Sequence, residues 1–135
     1  MRKTNYSYET AKFRIELSEA GYITVNFTNA AVIQQADVKL VSERIKWLAN
    51  SQPYCLLIDI SNSPGFSDEV QLYAASIDNH QNKLAEAIIV NSSWQARAGN
   101  LYRNYLRKQH YEQRFFIHRD KAHAWLLSRA NKNSV

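Results

Sequence analysis

The residue most able to do chemistry is Asp59, the single charge in the apolar run Tyr54-Cys55-Leu56-Leu57-Ile58-Asp59-Ile60. Seven residues without alternation, bounded by Pro53 and by Pro64-Gly65, read as a strand buried on both faces in the middle of a helix-covered sheet. A carboxylate at the carboxyl end of such a strand sits where open α/β sheets hold ligands. It also sits where a carboxylate steadies a loop by accepting backbone N–H groups, and the sequence favours this second role. With Ser61, Ser63, Phe66, Ser67 and Asp68, it outlines a candidate partner-binding loop. A second constellation is the stripe Arg97, Asn100, Arg103, Asn104 and Arg107, at three- and four-residue spacing. Arginine and asparagine so placed can grip phosphate or carboxylate oxygens, so the stripe is a candidate anion-binding face.

Other chemistries find little support. No Gly-x-Ser-x-Gly occurs, and Cys55 lies inside a strand rather than at its end. His80 and His110 are isolated, and His118 and His123 straddle a strand–helix junction, a poor spacing for a metal. With glycine only at 21, 65 and 99, no phosphate-cradling loop is encoded. The chain is therefore expected to be no enzyme and to need neither cofactor nor metal. Trp94, Tyr102 and Tyr105 align with the core stripe of their helix instead of interleaving with its arginines, which argues against a nucleic-acid stacking platform.

Charge is unevenly spread. Residues 1–93 carry eight Lys/Arg against ten Asp/Glu, whereas residues 94–135 carry nine against two. The basic final third suits an acidic partner or anionic ligand. No apolar run approaches the ~20 residues of a membrane span, and no signal peptide is recognisable. A lone cysteine in an apolar strand suits a reducing compartment, so the cytoplasm is expected.

The elements that must position these residues follow from periodicity. Residues 1–10 read as a flexible arm, 11–131 as a single domain and 132–135 as a frayed tail. Ala11–Leu17 and Tyr22–Phe27 alternate around a turn ending in Gly21, which predicts an antiparallel hairpin. From Gln34 to Asn50 the period becomes helical, with Val38, Val41, Ile45 and Leu48 on one face. The Tyr54–Ile60 strand follows. Ser67 then stands as the N-cap of a helix running to about His80. Leu84–Val90 is a second apolar strand, and a helix is expected from Trp94 to about His110. A short strand at Arg114–His118 and a helix from about Asp120 to Asn131 close the chain. The predicted order is β-β-α-β-α-β-α-β-α: a mixed, mainly parallel sheet opened by an antiparallel hairpin and covered by helices.

That order, with an apolar strand ending in Asp59 and a capped helix at Ser67, resembles the STAS superfamily. More closely it resembles the SpoIIAA-like branch of small bacterial proteins of unknown function. The ending Phe115-Phe116-Ile117-His118-Arg119-Asp120-Lys121-Ala122-His123-Ala124-Trp125-Leu126 is similar to that branch's close, a strand with Phe followed by Asp, Ala and Trp-Leu. Anti-sigma-factor-antagonist members carry a phosphorylated serine at the start of the helix after the central strand, within an Asp-Ser-Gly pattern. Counted from Asp59, that position falls near Asp68; Ser67 lies beside it and the Ser-Gly step is missing. The departure favours Ser67 as a cap over Ser67 as a phospho-acceptor.

The resemblance implies a non-catalytic interaction or regulatory module that docks a protein partner through the loop after the central strand. The alternative is a binder of a small anionic ligand or lipid on the Arg97–Arg107 face, which a clean apo mass of freshly purified protein would count against. An exposed sheet edge permits a homodimer, with no residue of the sequence marking its interface.

Overall fold

The structure, a computed structural model, describes residues 6–28, 32–63, 67–77, 82–91 and 111–132. Nine elements are seen among them: β1 (Ser7–Glu9), β2 (Phe13–Leu17), β3 (Ile23–Phe27), α1 (Gln35–Ala49), β4 (Tyr54–Asp59), α2 (Asp68–Ile77), β5 (Lys83–Ile89), β6 (Glu112–Phe116) and α3 (Arg119–Lys132). The helix expected at 94–110 lies outside the described residues, as do Pro64–Phe66, His80 and His110.

The six strands form one sheet in the order β1-β2-β3-β4-β5-β6. β2 pairs antiparallel with both its neighbours, and β3 to β6 are mutually parallel. Gly21 closes the β2–β3 turn at φ +98°, where a side chain would be strained. The Gly21 N–H donates to the Ser18 carbonyl at 3.0 Å, and the Ser18 N–H to the Tyr22 carbonyl at 2.9 Å.

One difference from the sequence reading lies at the start of the chain. Three residues of the expected arm pair with β2, Tyr8 opposite Ile15. Their signal is weak because a three-residue strand shows almost no alternation, and Tyr6 and Tyr8 are drawn in by tertiary packing. Tyr6 lies 5.1 Å from the Trp47 ring and Tyr8 6.3 Å from Phe13.

Two apolar layers cover the sheet. On one face Phe13, Ile15, Ile23, Val25, Phe27 and Leu56 meet Val41, Ile45 and Leu48 of α1 and Val70 of α2. On the other, Cys55, Leu57, Ala85, Ala87 and Ile89 meet Ala122 and Leu126 of α3. Leu56 and Leu57 face opposite layers, as a strand's period of two demands, which accounts for the unbroken apolar run of β4. Small alanines on β5 let α3 lie close. β3 departs from its half-buried sequence pattern: Thr24 and Tyr22 are buried as well, since the strand sits inside the sheet.

α1 begins where the Asp37 carboxylate accepts the Gln34 N–H at 2.9 Å, and the same oxygen takes the ammonium of Lys12, the residue before β2, at 2.9 Å. One side chain thus caps the helix and ties it to the hairpin. The helix stops at Asn50, left-handed at φ 52°, three residues before Pro53.

Candidate functional site

Parallel pairing brings the carboxyl ends of β3, β4 and β5 to one rim of the sheet. Asn26 of β3 stands beside Asp59 of β4, and Asp59 beside Ile89 of β5. Asp59 divides its carboxylate between two tasks. Oδ1 accepts the Ser61 N–H at 2.9 Å and the Ser61 hydroxyl at 2.5 Å. Oδ2 faces the Arg119 guanidinium at 3.0 Å, from the first turn of α3. The same Arg119 Nη1 donates to the Asn26 side-chain oxygen at 2.9 Å. One guanidinium nitrogen therefore joins α3 to the ends of two strands. Asp59 is 16% exposed and Arg119 48%, so solvent screens the pair from one side only.

The loop after β4 is held from below. The Ile60 N–H donates to the Ile89 carbonyl at 2.9 Å, the Ser63 N–H to the Ile60 carbonyl at 3.1 Å, and the Asn91 side chain to the Ser61 carbonyl at 3.1 Å. Where the loop returns, the Ser67 hydroxyl accepts the Val70 N–H at 3.2 Å, the bond of a helix cap.

Of the loop residues singled out in the sequence, Asp59 and Ser61 are thus directly joined. Ser63 belongs to the same turn and Ser67 caps α2. Phe66 and the Asp68 side chain lie outside the description, as do Arg97, Asn100, Arg103, Asn104 and Arg107. Sequence reasoning missed Arg119, Asn26 and Asn91. A usable signal existed: each lies at or next to the carboxyl end of a parallel strand, so all must surface at one rim.

Below this rim, within the layer under α3, the Tyr22 hydroxyl lies 2.6 Å from Nδ1 of His123, one turn along α3 from Arg119. Burial pushes the Tyr22 phenol above its ordinary value, and the positive charge of Arg119 partly offsets this. Burial likewise pushes the Cys55 thiol up, against a weaker opposing effect of the hydrogen bond with the Ala85 backbone. Cys55 is accordingly a core residue with little thiolate character. Among the described residues, no group of three or more His, Cys, Asp or Glu is placed to hold a metal ion, and no helix is long and apolar enough to cross a membrane.

A mixed six-stranded sheet carrying a polar rim at its parallel end defines a SpoIIAA-like α/β domain. Among solved structures, the chain is similar to an uncharacterised protein of the DUF3478 family from Shewanella loihica PV-4, described as having a SpoIIAA-like fold. The likeness has a TM-score of 0.60 at 19% identity and covers 93% of this chain and 99% of that one. Residues 15–129 match the family described as "Domain of unknown function (DUF7793)", and the chain belongs to that family. No curated protein matches it.

Proposed function

We propose that the chain is a non-catalytic interaction or regulatory module that docks a protein partner through the loop after β4, with Ser61, Ser63, Phe66, Ser67 and Asp68 as its candidate contacts and Asp59 as the brace at its base. The observation that carries this reading is the engagement of both Asp59 oxygens, one by Ser61 and one by Arg119. A carboxylate held in this way is a brace for the loop and is not offered as a general base. Bracing lowers the ordering cost of association, the advantage a docking loop needs. A free, buried Cys55 suits the reducing cytoplasm as its setting.

The test is affinity capture with the full chain, comparing wild type with Phe66→Ala and Asp68→Lys variants of unchanged thermal stability. Loss of one specific co-purifying protein from both variants supports the reading. Equal recovery from all three chains overturns it.

A further inference from the structure

β1 is the outer strand of the sheet, and its exposed edge has a definite backbone pattern. The Leu17 N–H donates to the Tyr6 carbonyl at 3.3 Å and the Thr10 N–H to the Phe13 carbonyl at 2.9 Å. In an antiparallel ladder, bonded and non-bonded positions alternate. Tyr6, Tyr8 and Thr10 therefore turn their backbone groups toward β2, while Ser7 and Glu9 turn theirs outward.

Side chains alternate in step. Tyr8 packs toward α1, where the Arg44 guanidinium lies 4.0 Å above its ring. Beside it, Trp47 is 51% exposed and stacks at a tilt on Tyr6. On the opposite face, Arg14 Nε donates to the Ser7 hydroxyl at 3.2 Å, which brings a guanidinium to the free edge. Ser7, Glu9 and Arg14 are all exposed.

We propose that β1 is the contact strand of a two-fold homodimer in which Ser7 pairs with the partner's Glu9 and Tyr8 meets the partner's Tyr8 at the axis. This register uses every outward N–H and C=O of Ser7 and Glu9 on both chains. It is self-complementary, as an isologous interface must be. Arg14 holds Ser7 through Nε and Glu16 through Nη2, the latter at 3.2 Å; the register sets the partner's Glu9 opposite Ser7, beside this guanidinium, and the dyad repeats the contact. Trp47, Tyr6, Tyr8 and Arg44 belong to the side-chain types that dominate interface energetics. The strand is short and the axis brings Arg44 toward its mate, so the dimer is of the weak, concentration-dependent kind.

The experiment is sedimentation velocity of the full chain over a range of concentrations up to millimolar, with the Glu9→Arg, Arg14→Glu and Ser7→Pro variants. Proline at position 7 removes an outward N–H and leaves the inward ladder intact. Wild type should show a concentration-dependent shift from monomer to dimer, and each variant alone should lose it. The two charge variants mixed one to one should regain it, because each supplies the charge that the other lacks. That recovery cannot come from misfolded chains. A wild type that stays monomeric throughout overturns the proposal. So does a dimer that all three variants leave unchanged, or single charge variants whose mixture stays monomeric.

Discussion

Among the described residues, burial shifts the ionisation of Tyr22 and of Cys55. The Tyr22 phenol is raised by burial, so the folded chain keeps a proton that the unfolded chain releases near the ordinary tyrosine value of about 10. Stability from this group is fully present below that value and is lost as pH rises through the higher folded value. Chemical unfolding followed from pH 8 upward should therefore show wild type declining more steeply above pH 10 than a Tyr22→Phe variant. Parallel declines would mean that Tyr22 ionises as freely folded as unfolded. At this scale the sequence was only half readable. Asp59 stood out because a lone charge in an apolar run needs an explanation. Arg119 and Asn26 did not, because they lie 60 and 33 positions from Asp59 and become neighbours only through strand pairing and helix packing.

β5 shows what an element can hide. Its pairing with β4 slips by one residue, so Tyr54 faces Lys83 while Cys55 faces Ala85. The extra residue, Leu84, shifts the alternation and lets Lys83 and Glu86 meet although they are three apart on a strand. The two are buried and lie 2.6 Å apart; Gln113 of β6 donates to the other Glu86 oxygen at 2.6 Å, and the Lys83 ammonium lies 4.4 Å from the Tyr111 ring. Removing one member leaves a buried charge without its counter-ion, at a cost of roughly 3–5 kcal/mol. Glu86→Ala should therefore lower stability sharply in urea unfolding, and the Lys83→Met/Glu86→Met double variant should regain much of the loss. A double variant as unstable as the single one would show that packing, and not charge, decides the effect. Apart from β1, the order of the described elements was legible from apolar periods, and α1 kept its buried stripe of Val41, Ile45 and Leu48. The bulge was not legible, because a single inserted residue leaves no mark on a seven-residue apolar pattern.

Among the described elements, α1 and α2 lie on one face of the sheet and α3 covers the other. In the second layer the fully buried Ala122 and Leu126 pack against Leu57, Ala85, Ala87 and Ile89, with Tyr22, Phe116 and Trp125 around them. Leu126→Ala should cost about 2–5 kcal/mol, a large share of the ~5–15 kcal/mol that holds a typical domain folded. A melting temperature within a degree of wild type would show that α3 contributes little to global stability. The mainly parallel sheet itself follows from strands alternating with helices, which the sequence displays openly; which face the last helix takes does not follow from periodicity alone.

The position of α3 after all six strands has a consequence for biosynthesis. In a growing chain the six described strands and the first layer of helices emerge before residues 119–132, so Leu57 and the β5 alanines stay bare to solvent until α3 docks. That bare apolar face is adhesive, and the docking of α3 closes it.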